Sequence, residues 1–302
     1  MRVVDIHTHG IGGYDTRTTR ADDILKIAQI HGAHGVTDIV PTIYSGPVQQ
    51  MRANMAAVKV ATERQHTAVS NSRSGSLDSS LDTRHSKPAR IAGVHLEGPF
   101  LNPSKAGALD RASFQEPSVK TLKRLLDGFE DIVKIVTIAP ELEGSLRLIE
   151  TMSNMGIIVA LGHSDATYQE TEKAFHAGAT GITHLFNAMR GLHHRDPGIA
   201  GFGLTNPDIY VELIADPFHL NVRVIELIFK VKKSEKIIIV SDSVKGTAAT
   251  TENHAIENNN GAIQGGSMTI TESAERLISL GFPKKVVMAC ISNNPRAYLV
   301  PN

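Results

Sequence analysis

Three hundred and two residues carry 31 lysines and arginines against 31 aspartates and glutamates, with 14 histidines and one cysteine. A chain this long buries a large core. Zero formal charge argues against a dedicated nucleic-acid or anionic-membrane binder, which shows a basic excess. The single cysteine excludes a disulfide framework and a Cys-rich zinc module, and fits a reducing, cytoplasmic setting. No apolar run approaches the ~20 residues of a membrane span. Met1 is followed by Arg2 and a short apolar strand, so no signal peptide is expected.

Short apolar, β-branched runs alternate with helix-like segments. Strands are expected at Val3–His9, Val36–Ile43, Ile91–Glu97, Val133–Ala139, Ile157–Gly162, Gly181–Phe186, Tyr210–Ala215 and Lys236–Ser241. The first helix is expected at Ala21–His34, where Ile24, Ile27, Ala28 and Ile30 keep helical spacing. Further helices are expected at Pro47–Arg64, Ser118–Leu126, Ser145–Met155, Gln169–Ala177, Val222–Lys232 and Thr271–Leu280. Strands that are apolar throughout belong in a parallel sheet covered on both faces. Eight strand-then-helix units point to an α/β fold, the (β/α)8 TIM barrel. The alternative, a doubly wound open sheet, normally shows a Gly-rich phosphate turn after strand one. Here that turn is His-Thr-His-Gly. Residues 1–302 are read as one catalytic barrel domain. Gln65–Pro88, rich in Ser, Arg, Asp and Thr, is expected as a polar surface insertion, and Glu252–Gly266 as a second long loop.

In such a barrel the active site lies at the carboxyl ends of the strands. Strand one ends in His7-Thr8-His9, and residues two apart on a strand share a face. Strand three ends in Glu97 and strand five in His163, while strand six carries His184. Strand seven runs into Asp216 and His219, and strand eight ends in Asp242. His7, His9, Glu97, His163, His184 and Asp242 thus converge, with His219 close by. Neutral imidazole with carboxylate suits one or two divalent ions sharing a carboxylate, Zn²⁺ or Fe²⁺ before Mn²⁺ or Co²⁺.

The remaining histidines are assigned other work. His31 and His34 flank the end of the first helix, where a cation is favoured, and are read as caps. His95 shares the face of Glu97 but lies deeper, and is read as a hydrogen-bonded core residue. His66 and His85 fall in the polar insertion, His254 in the second loop and His176 on a helix surface. His193 and His194 lie in the loop after strand six, bordering the site.

Asp5-Ile6-His7-Thr8-His9-Gly10 resembles the first-strand motif of the amidohydrolase superfamily. His95-Leu96-Glu97-Gly98-Pro99-Phe100, Leu161-Gly162-His163-Ser164-Asp165-Ala166 and Thr183-His184-Leu185-Phe186-Asn187-Ala188-Met189 resemble one branch of it. That branch is the N-acetylglucosamine-6-phosphate deacetylases. Arg195-Asp196-Pro197-Gly198 and Ser241-Asp242-Ser243 continue the match in order, over nearly the whole chain apart from the two polar loops.

The resemblance implies a metal-dependent hydrolase that releases acetate from N-acetylglucosamine 6-phosphate in amino-sugar catabolism. It implies that Glu97, His163 and His184 hold the main metal, and that His7 and His9 complete a second site with Glu97 as bridge. Asp242 is then the general base and acid, and His219 contacts bound substrate. Asn187 and the backbone of Ala188 meet the sugar phosphate, and Arg195 reaches it across a homodimer interface. Met268 matches a region that lines the acetyl pocket. Two positions depart from the pattern: Leu109 stands where several relatives carry a polar residue, and Pro217 where glycine is usual. Relatives also carry a small β-sandwich from segments before strand one and after the last helix. The barrel starts within a few residues of Met1 and stops after Leu299, so a barrel without those segments is expected. Two other readings stay open: an amidohydrolase on a related N-acylated amino sugar, and a degenerate barrel that binds phosphosugar without turnover.

Overall fold

Valine and isoleucine recur in eight short strands, and β-branched side chains suit a pleated surface covered on both faces. The computed structural model describes residues 1–74, 87–248, 254–258 and 261–300. The barrel strands are β1 (Val4–Thr8), β2 (Asp38–Tyr44), β3 (Val94–Glu97), β4 (Val133–Ile138), β5 (Ile158–Leu161), β6 (Ala179–Ile182), β7 (Tyr210–Ile214) and β8 (Ile237–Val240). Each pairs in parallel with the next. The last returns to the first through a bridge between Thr8 and Ser243. There the Asp242 N–H donates to the His7 carbonyl at 2.9 Å and the His9 N–H to the Ser243 carbonyl at 2.7 Å. This is the expected (β/α)8 barrel.

Two apolar layers result. Val4, Ile6, Val40, Ile135, Ile238 and Val240 pack together inside the barrel. A larger layer joins the outer strand faces to the helices, through residues such as Ile24, Ile27, Leu125, Ile149, Phe202 and Leu277. The helices are α1 (Ala21–Ala33), α2 (Val48–Ser74), α3 (Val119–Leu126), α4 (Ser145–Asn154), α5 (Tyr168–His176), α6 (Gly198–Thr205), α7 (Val222–Val231), α8 (Ile270–Ser279), α9 (Lys284–Cys290) and α10 (Asn293–Tyr298). Capping boxes, Thr167 with Glu170 and Thr269 with Glu272, start α5 and α8. No helix among the described residues is long and apolar enough to cross a membrane.

β1 carries a bulge. Asp5 pairs with Ile39 but Thr8 with Pro41, so β1 holds one residue more than β2 over that stretch. Ile6 therefore packs in the inner layer while His7, its neighbour, reaches the carboxyl mouth.

Several expectations change. β6 ends at Ile182, not Phe186, because His184 and Phe186 take left-handed backbone at φ 30° and 76°, which cannot extend a ladder. The expected insertion begins inside a helix, since α2 continues to Ser74. Gln65 makes that continuation useful: its amide donates to the Ala89 carbonyl at 2.9 Å and its oxygen accepts from the Ile91 N–H at 3.0 Å. Residues 75–86 of that insertion, His85 included, lie outside the described residues. His66 is exposed on α2. The second loop contains a ribbon, Ile256–Glu257 against Ile263–Gly265. α6 was hidden because Gly-Ile-Ala-Gly-Phe-Gly-Leu is buried on every side and shows no amphipathic stripe.

His31 is not a charged cap. It is fully buried on α1, with Nε2 3.0 Å from Thr8 Oγ1, which itself meets Ser243 Oγ at 2.8 Å. Burial pushes its pKa down to about 3, so the imidazole is neutral. Unfolded histidine titrates near ~6.5, so below that pH the unfolded chain takes the proton first. Stability is full above ~6.5 and is lost as pH falls toward about 3, by up to ~1.4 kcal/mol per unit from this group. Urea midpoints measured from pH 7 to 4 are expected to fall less steeply for His31→Gln than for the wild type; equal slopes would remove His31 from this role.

Candidate metal centre

Donors from five strands meet at the carboxyl mouth. Glu97 Oε1 lies 3.1 Å from His163 Nε2 and 3.0 Å from His184 Nε2. Its other oxygen, Oε2, lies 3.2 Å from His9 Nε2. Asp242 Oδ1 lies 3.3 Å from His7 Nε2 and 3.5 Å from His9 Nε2. All six side chains are buried, and they divide into His7–His9–Asp242 and Glu97–His163–His184, with Glu97 between.

The donor chemistry fits a divalent cation. His7 and His9 face each other through Nε2 at 3.3 Å, and His163 and His184 do so at 3.2 Å. A neutral imidazole has one N–H and one lone pair. Four imidazole nitrogens and two carboxylates turned on one another inside a protein leave lone pairs without protons. A cation satisfies them, and nitrogen with oxygen donors suits Zn²⁺ or Fe²⁺.

The surroundings aim each donor. His163, His184 and Asp242 follow their strands at φ 47°, 30° and 46°, and this sparsely populated backbone turns their side chains over the barrel. His163 Nδ1 donates to the Lys105 carbonyl at 2.9 Å, which leaves Nε2 toward Glu97. The His9 ring stacks on Tyr44 at 3.8 Å, and the Arg17 guanidinium covers the other face of Tyr44 at 4.3 Å. Glu141 locks the loop after β5 by accepting from Ser164 Oγ at 2.7 Å and the Asp165 N–H at 2.6 Å. Asp165 in turn pairs with Lys105 and Arg190.

Burial holds His7 far below its ordinary pKa, so it is neutral. Burial also works to raise Glu97, but the charge of His163 and hydrogen bonds from His163, His184 and His9 outweigh it, and its carboxyl sits well below the usual range. Asp242 is pushed well above that range by burial and by the neighbouring carboxylate of Glu97.

A cavity of about 260 Å³ opens over the donors. His9, Glu97, His163, His184 and Asp242 face it, as do His219, Asn187, Ala188 and Leu109. Asn187 also donates to the His184 carbonyl at 3.3 Å, within the turn that carries that donor. His219 Nδ1 lies 3.0 Å from Asp216 Oδ2, which accepts from the Ser267 N–H at 2.9 Å. Hydrogen bonds from His219 and Ser267 outweigh burial and hold Asp216 well below the usual carboxylate range. Pro217 has not drawn His219 away from the cavity. Arg195 is exposed and Met268 half-buried; neither lines the cavity. His193 and His194 are exposed in the same loop as Arg195. His95 bonds the Ile6 carbonyl and Thr137 Oγ1, as a core residue does. A larger cavity of about 570 Å³, among Arg2, Asp38, Arg90 and Arg296, lies at the opposite ends of the strands, away from the donors.

Three contributors escaped the sequence reading. Tyr44 ends β2 and backs His9. Lys105 acts through its carbonyl, which no side-chain pattern reveals. Glu212 lies 3.0 Å from His7 Nδ1. Its signal was available: a charged residue in the otherwise apolar run Tyr-Val-Glu-Leu-Ile.

A (β/α)8 barrel with imidazole and carboxylate donors at its carboxyl mouth is the architecture of the amidohydrolase superfamily. No protein-family model matches the chain. It is 33% identical over 242 residues to an N-acetylgalactosamine-6-phosphate deacetylase of Escherichia coli O157:H7, covering 80% of this chain and 59% of that protein. It is 34% identical over 245 residues to an N-acetylglucosamine-6-phosphate deacetylase of Vibrio furnissii, covering 81% and 56%. The crystal structure of N-acetyl-D-glucosamine-6-phosphate deacetylase from Mycobacterium smegmatis superposes with a TM-score of 0.83 at 26% identity, over 99% of this chain and 77% of that one. A mutant of that enzyme in complex with N-acetyl-D-glucosamine-6-phosphate superposes at 0.85. In sequence and fold, then, the chain is a homologue of the N-acetylglucosamine-6-phosphate deacetylases. It spans 59% and 56% of the length of the two curated relatives described above.

If the six donors act as one set, loss of the shared carboxylate should empty both groups. Glu97→Ala is expected to lower tightly held divalent metal roughly tenfold or more. Elemental analysis after dialysis checks this, and undiminished metal would show that the donors do not work together.

Proposed function

We propose that the protein removes the acetyl group of N-acetylglucosamine 6-phosphate, giving glucosamine 6-phosphate and acetate. The observation that carries this reading is the cavity that joins the donor cluster to the Asn187–Ala188 turn and His219. It brings hydrolytic groups and candidate phosphate donors to one opening. One or two divalent ions held among His7, His9, Glu97, His163, His184 and Asp242, Zn²⁺ or Fe²⁺ first, would polarise the amide carbonyl and acidify water.

The chain's own groups do the rest. Asp242 takes the proton of the attacking water, holds it, and returns it to the sugar nitrogen as the C–N bond breaks. His219, its Nδ1–H fixed on Asp216, presents Nε2 toward substrate and orients the acetamide or the developing oxyanion. Asn187 and the Ala188 N–H meet the phosphate. Arg195, on its exposed loop, reaches the phosphate of a partner subunit in a cytoplasmic homodimer. Met268 supports the acetyl pocket from outside the cavity lining.

A second reading is the galacto epimer of the same substrate. Its support is the 33% identical relative named for N-acetylgalactosamine 6-phosphate, together with apolar Leu109 in the cavity wall. Acetate release from both epimers, with and without phosphate, separates these readings. Phosphorylated substrates are expected to be used far better than unphosphorylated ones. Asp242→Asn is expected to lose roughly 10²–10⁴ in kcat. No acetate from any of these substrates, with Zn²⁺, Fe²⁺, Mn²⁺ or Co²⁺ supplied, would falsify the proposal and leave a binding barrel.

A further inference from the structure

Glu212 occupies the middle of β7, between Val211 and Leu213, and is 2% exposed. An ionised carboxylate in such a place is expensive unless it is partnered. Among the described residues it has no lysine or arginine partner. Its Oε2 lies 3.0 Å from His7 Nδ1, while Oε1 has no hydrogen-bond partner. The neighbouring imidazole of His95 cannot serve it, because both His95 nitrogens are engaged, by the Ile6 carbonyl and by Thr137 Oγ1. His7 is the side chain that Glu212 holds by a hydrogen bond.

We propose that Glu212 is a positioning residue for His7, and that it makes the His7–His9–Asp242 group a metal site distinct in strength from the Glu97–His163–His184 group. This rests on reading the donor cluster as a metal centre. An ionised carboxylate only accepts hydrogen bonds, and with Glu212 in that form the proton of neutral His7 sits on Nδ1. The lone pair is then on Nε2, which lies 3.3 Å from both His9 Nε2 and Asp242 Oδ1. The ring cannot swing, since the edge of His95 packs against it at 4.7 Å and 67°.

The second group is built differently. His163 spends its Nδ1–H on the Lys105 carbonyl, a neutral dipole. A charged acceptor makes a stronger hydrogen bond, and a carboxylate behind a histidine raises its basicity as a ligand. An acidic side chain thus stands behind His7 where a main-chain carbonyl stands behind His163. The group containing His7 therefore depends on Glu212, and the group containing His163 does not.

The test is Zn²⁺ titration by calorimetry, with elemental analysis, on the wild type, Glu212→Gln and Glu212→Leu. The wild type is expected to hold two ions. Glu212→Leu should retain one at unchanged affinity and bind the other roughly 10–100-fold more weakly. Glu212→Gln keeps the shape and an accepting oxygen but removes the charge, and should fall between them. This variant carries the test alone if the leucine variant does not fold. A merely structural role would lower Tm without this selective loss of one ion. Two ions at wild-type affinity in Glu212→Gln overturn the inference. So does a wild type that takes only one ion; if that protein still releases acetate, the proposed function stands. Two ions with the predicted ranking but no acetate would sink the proposed function and leave the role of Glu212 intact.

Discussion

The Asp242 N–H donates to the carbonyl of His7, and with that bond the last strand of the barrel meets the first. Every feature of the mouth depends on this closure. It sets Asp242 beside His7 and His9, completing one donor group, and Glu97 then links that group to His163 and His184. Thr8 and Ser243 reinforce the seam through their hydroxyls, and neutral His31 supports Thr8 from outside the barrel. Burial of His31 gives the Thr8 hydroxyl a partner that a charged cap on the helix surface would not.

The mouth is held in a conformation that the backbone does not prefer. His163, His184 and Asp242 all sit in left-handed φ, each costing on the order of 1–3 kcal/mol. Six buried polar side chains crowd the same few ångströms. Neither burden is borne locally. The aliphatic layer inside the barrel and the thicker layer under the helices supply the stabilisation, so the site is preorganised by residues that never touch substrate.

Much of the barrel was legible because its strands are continuous aliphatic runs and its amphipathic helices keep their spacing, as in β8 and α1. Elements with other signatures were not. α6 is glycine-rich and buried all round, and the polar sequence after Arg64 continues α2 because Gln65 serves backbone groups rather than solvent. In the candidate site, residues at strand ends could be placed by position alone. What orients them could not: Lys105 acts through its main chain and Tyr44 through stacking. Glu212 is the instructive exception, since a lone charge in an apolar strand is visible in the sequence, but its partner 205 positions away is not.

The extra residue in β1 joins the barrel's interior to its polar mouth. It lets Ile6 fill the barrel while His7 and His9 reach the mouth. One irregular pair thus lets a single strand serve both layers, so the bulge belongs to the donor geometry as much as the imidazoles themselves.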